Sequence, residues 1–66
     1  MRVFYNDLDR ELPEGTTVAD LIRELKLEPK YVAVEVNFEL VPRQLHDQHT
    51  LYNGDRLEIV TLVGGG

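Results

Sequence analysis

The sequence predicts an α+β domain, one helix packed on a small mixed sheet of roughly four to five strands. Three observations carry that expectation. Short β-rich runs alternate with period two, a single segment carries an apolar stripe at helical spacing, and turn chemistry separates them. At 66 residues the chain allows one domain. A chain of this size buries only about 60% of its unfolded surface, so each core position counts.

Arg2-Val3-Phe4-Tyr5 is the first strand, ended by the turn residues Asn6-Asp7. Arg10-Glu11-Leu12 returns as an edge-like second strand, closed by Pro13-Glu14-Gly15. Thr17 then offers an N-cap, with Asp20 as its partner in a capping box. Val18, Leu21, Ile22 and Leu25 fall at i, i+3, i+4 and i+7, so one face of this helix is apolar. Arg23, Glu24 and Lys26 lie off the stripe, and Pro29 is expected to stop the helix after about three turns. From Tyr31 to Val36, Val32, Val34 and Val36 alternate with Ala33 and Glu35, which predicts a half-buried strand ended by Asn37. Pro42 blocks continuation beyond Leu40-Val41, and Gln44 to Gln48 reads as a loop or a 3₁₀ turn. Thr50-Leu51-Tyr52 is the expected short fourth strand, followed by the turn Asn53-Gly54-Asp55. Arg56 to Thr61 is the last strand. Its two faces carry Leu57, Ile59 and Thr61 against Glu58, Val60 and Leu62; either set can be the buried one, and Val60 and Leu62 are the expected docking pair. The order strand, strand, helix, strand, short strand, strand, with the first and last strands central and parallel, is the β-grasp arrangement.

Composition removes several functions. The chain has no cysteine, which excludes a disulfide framework, a thiolate metal site and a cysteine nucleophile. A net charge of −5, with scattered basic residues, argues against nucleic acid and against anionic membrane surfaces. No apolar run is long enough to span a bilayer and the start does not read as a signal peptide, so a cytoplasmic location is expected. His46 and His49 lack a third ligand and are read as part of a solvated loop, with no metal. Asn37 and Asp55 read as turn formers, and Arg43 is expected in a surface ion pair or, failing that, against a partner.

The end of the chain asks for a different explanation. Leu62-Val63-Gly64-Gly65-Gly66 runs from a strand into glycines, which are poor at holding order. The expected division is a domain over 1–61 and a flexible tail over 62–66. Fully extended, Leu62 to Gly66 reaches at most roughly 16–18 Å, enough to enter a partner's cleft. Without a Cβ the carbonyl carbon of Gly66 is unhindered. Its carboxylate, with a pKa of about 3.3–3.7, is ionised at neutral pH and must be activated before it can be an acyl donor. A frayed terminus is the alternative reading.

These features taken in order resemble the ubiquitin-like proteins and, more closely, the ThiS family of sulfur carriers of thiamin synthesis. The resemblance covers the whole chain: Phe4-Tyr5-Asn6-Asp7, Thr17-Val18-Ala19-Asp20-Leu21-Ile22, Val34-Glu35-Val36-Asn37 with Val41-Pro42-Arg43, Asn53-Gly54-Asp55-Arg56-Leu57-Glu58-Ile59-Val60, and Val63-Gly64-Gly65-Gly66. It implies a carrier that is not itself an enzyme and binds no cofactor. Gly66 would be adenylated with ATP by a ThiF-like adenylyltransferase and converted to a thiocarboxylate with sulfur from a donor such as a cysteine desulfurase. A ThiG-like thiazole synthase would then take that sulfur. Gly64, Gly65 and Gly66 would enter the partner's active site, while Val60, Leu62, Val63 and Arg43 would contact its surface. The competing readings are a molybdopterin synthase small subunit, a modifier that forms isopeptides with lysine, and a noncovalent interaction module.

Overall fold

In the computed structural model, which describes residues 1–62, β1 (Arg2–Tyr5) and β2 (Leu8–Glu11) form an antiparallel hairpin. The turn residues Asn6 and Asp7 both take positive φ, the backbone twist a tight hairpin requires. The second strand therefore begins earlier than Arg10, because the turn consumes only Asn6 and Asp7.

Helix α1 (Val18–Glu24) is shorter than its apolar stripe suggests. Its start is as expected: Thr17 Oγ1 accepts the Asp20 N–H at 3.1 Å, and Asp20 accepts the Thr17 N–H at 3.0 Å. Two more first-turn donors go to the distant 46–51 segment. Val18 N–H donates to His49 O at 3.0 Å and Ala19 N–H to His46 O at 2.9 Å. The helix ends at Leu25, ahead of Pro29, because Lys26 turns left-handed at φ 61°. Lys26 N–H then reaches Arg23 O at 3.0 Å and Leu27 N–H reaches Ile22 O at 3.1 Å, the paired bonds of a Schellman stop. Pro29 instead opens a 3₁₀ turn over Pro29–Tyr31.

Strand β3 (Val32–Val36) alternates as expected, with Val32, Val34 and Val36 buried and Glu35 exposed. The next strand, β4, is Glu39–Val41 and not Thr50–Tyr52. Asn37 and Phe38 take φ of 53° and 71° and make a tight turn that folds Glu39–Val41 back onto β3. Thr50 forms only an isolated bridge with Thr17, and Leu51 N–H donates to Thr16 O at 2.8 Å. That segment therefore serves the helix start. His46 is also no solvated loop residue: it is buried, its Nε2 lies 3.0 Å from Val41 O, and it follows a 3₁₀ turn over Arg43–Leu45.

Strand β5 (Arg56–Thr61) closes the sheet in the order β2-β1-β5-β3-β4, parallel to β1 and antiparallel to β3. The parallel pair lies inside the sheet, as the sequence predicts. Val3, Val34, Leu57 and Ile59 on the inner face meet Val18, Leu21 and Ile22 of α1 in one core. At about 1.5–3 kcal/mol per buried aliphatic side chain, this contact is the main stabilising element of a chain without disulfides.

Candidate functional site

The candidate site is the outer face of β5 together with the chain that follows it. Three sets of hydrogen bonds hold this strand. At its start, Asn37 Nδ2 donates to Asp55 Oδ1 at 3.0 Å and Asn37 Oδ1 accepts the Arg56 N–H at 3.0 Å. Both residues act as turn formers, and Gly54, at φ 90°, supplies the bend that a side chain would strain. In the middle, the Asn6 side chain bonds the backbone of Ile59. Past the end, Leu62 N–H donates to Tyr31 O at 2.6 Å.

Burial decides between the two faces of the strand. Leu57 and Ile59 are 4% and 8% exposed, whereas Val60 and Leu62 are each 52% exposed. Ile59 sits opposite Val34 on the core side, so Val60, opposite Ala33, points away from the helix. Leu40, 66% exposed, is the outward β4 partner of Glu35, one outward row away from Val60. Arg43 does not join this face. It lines a groove on the helix side with Ile22, Leu27 and Pro29, and it makes no ion pair among the described residues, contrary to its expected role. Val63, Gly64, Gly65 and Gly66 lie outside the described residues.

Among the described residues, no group of three or more His, Asp or Glu is placed to hold a metal, and no helix is long and apolar enough to cross a membrane. The Asp20 carboxyl is held below its ordinary value by the Thr17 backbone N–H, then by the Thr17 hydroxyl and Arg23, and this belongs to the helix cap. Sequence reasoning missed Leu40 and Phe38, 66% and 85% exposed, because it placed no strand there. It also missed that Glu35 and Glu58 are cross-strand partners, since register cannot be read from either strand alone.

A family model described as the ThiS family matches residues 3–66. The chain belongs to the ThiS family, the sulfur carriers of thiamin biosynthesis. The sulfur carrier protein ThiS of Escherichia coli is 29% identical over 66 residues, covering the whole of both chains. A thiazole synthase of Paramagnetospirillum magneticum is 39% identical over the full chain, which spans only 20% of that longer protein. Among solved structures, the thiamine biosynthesis protein ThiS of Geobacter metallireducens superposes with a TM-score of 0.84 at 32% identity, over 100% of each chain. A ubiquitin-like protein of Caldiarchaeum subterraneum shares the fold, with a TM-score of 0.55 at 17% identity over 97% of this chain and 96% of its own. The ThiS architecture is thus the ubiquitin-like β-grasp anticipated from the order of elements.

Proposed function

We propose that this ThiS-family chain carries sulfur on Gly66 for thiazole formation and acts as a co-substrate of its partner enzymes. The family match that runs through Gly66 carries this reading. A carboxylate oxygen of Gly66 attacks the α-phosphorus of ATP on a ThiF-like adenylyltransferase, and pyrophosphate leaves. The acyl adenylate is then a good electrophile. The outer sulfur of a persulfide on a donor such as a cysteine desulfurase displaces AMP and gives an acyl disulfide, whose S–S bond a thiol reductant then cleaves to leave the thiocarboxylate. A thiazole synthase consumes that sulfur, a partner suggested by relatives that bear that name and contain a region like this chain. Val60 and Leu62 provide the apolar strip on which a partner rests while Gly64 to Gly66 enter its cleft. Arg43, on the helix side, would meet a partner only if that partner wraps around the β4 edge. The molybdopterin synthase reading uses the same terminus, but the family match and these relatives favour thiazole.

Intact mass of the protein, incubated with the adenylyltransferase, ATP and a sulfur donor, tests the proposal. The expected result is a gain equal to one oxygen replaced by sulfur, mapped to Gly66. An unchanged mass, under conditions that load the Escherichia coli carrier, would overturn it.

A further inference from the structure

Glu35 and Glu58 are directly opposed across the antiparallel β3·β5 pair. Such partners lie on one face with Cβ atoms about 4.5–5.5 Å apart, and like charges in that position are destabilising. Neither carboxylate has an ion pair among the described residues. The nearest outward cation on the same strand, Arg56, is placed over the Phe4 ring at 5.6 Å. Beside the pair stands Phe38, 85% exposed and left-handed at φ 71°, a conformation that costs a bulky residue energy and brings no burial here. These groups line a concavity of about 130 Å³. That is well below the roughly 300–1,000 Å³ of small-molecule sites, and it suits the head of one side chain.

We infer that this concavity receives an arginine side chain of the thiazole synthase, seated between Glu35 and Glu58 and against Phe38. The inference rests on the carrier reading above. A guanidinium is planar, presents paired donors that suit two carboxylates, and stacks on an aromatic ring, which a lysine ammonium does less well. The acidic pair is continuous with the apolar strip, because Ala33 and Val60 are the next outward pair in the same register. At about 3.3 Å per strand residue, Glu58 lies roughly 13 Å along the strand from Leu62. One partner surface can therefore hold the terminus at one end and the arginine at the other. A second copy of this chain fits poorly. It would bring two further carboxylates and a net charge of −5 to the same face, with Arg56 already committed to Phe4.

The test is the Glu35→Gln/Glu58→Gln double variant, which keeps shape and removes charge. Calorimetric titration against the thiazole synthase is expected to show Kd raised at least about tenfold and its salt dependence flattened. The melting temperature of the free variant should hold or rise, since a repulsion has been relieved. Equal Kd for variant and wild type overturns the inference, as does a melting temperature that falls together with binding. Sedimentation showing a wild-type dimer lost in the variant overturns it in favour of self-association. Sulfur loading separates the two proposals. A wild type that loads sulfur but binds the synthase no better than the variant sinks only the arginine contact, whereas a wild type that neither loads nor binds sinks both.

Discussion

Asn6 holds Ile59 from both sides of its peptide: its Nδ2 donates to Ile59 O at 3.0 Å, and its Oδ1 accepts the Ile59 N–H at 2.9 Å. The Asn6 N–H makes the last backbone bond of the parallel ladder, to Leu57 O at 3.0 Å, and at φ 48° the chain then turns toward β2, so the backbone reaches no further along β5. The side chain takes over as a substitute strand residue. Through it the first hairpin is tied to the strand that leads to the C-terminus.

Replacing Asn6 with Ala leaves the Ile59 N–H and carbonyl without partners inside the sheet. The expected loss is about 1–3 kcal/mol. For a domain this small that lowers the melting temperature by roughly 4–8 °C per kcal/mol, measurable by calorimetry. Asn6→Asp keeps the acceptor and loses the donor, so it should fall between Ala and wild type. A fully stable Ala variant would show that the clamp is dispensable.

The helix cap makes a pH-dependent contribution of known sign. Asp20 accepts the Thr17 N–H and pairs with Arg23 at 2.6 Å, and its carboxyl is held below the ordinary 3.8. A carboxyl depressed on folding contributes stability above its unfolded value and loses it as pH falls through the lower folded value. Asp20→Asn should therefore destabilise the domain at neutrality, with the gap to wild type closing below pH 3.8. Urea midpoints of the two proteins across that range check this; a gap independent of pH would assign the effect to shape instead of charge.

Lys26 occupies the left-handed position where glycine is usual. Its side chain is exposed, so Lys26→Gly gives up little contact while relieving the Cβ of a costly conformation. The expected outcome is a gain of about 0.5–1 kcal/mol, read as a raised denaturant midpoint with an unchanged slope.

That same lysine shows where local reading stops. The alternation of Val32, Val34 and Val36, the Thr17 cap and the turn at Gly54 were legible because each depends on neighbours in sequence. Lys26 gives no local sign of turning left-handed, and neither does Phe38, whose turn creates β4. Thr50 and Leu51 have strand-like composition, but their backbone is taken by Thr17 and Thr16. Burial of Ile59 and exposure of Val60 depend on the pairing of β5 with β3, a long-range choice. Most of the fold was therefore local information. The proposed docking face is a product of register, while the proposed reacting group, Gly66, was visible as a residue type and position alone.

Recognition and chemistry should separate along that line. Val60 is half-exposed, so Val60→Asp is expected to cost the fold no more than about 1 kcal/mol. A partner that rests on the strip must then bury an unpaired carboxylate. The concentration of carrier needed to half-saturate the adenylyltransferase should rise at least about tenfold, with the fully loaded mass still reached at high concentration. Deleting Gly65 and Gly66 has the opposite signature: the melting temperature and the docking affinity are kept, and no sulfur is gained at any concentration. Steady-state adenylation kinetics with intact mass distinguish the two. If Val60→Asp abolished loading even at saturation, Val60 would belong to the chemical step and not to docking.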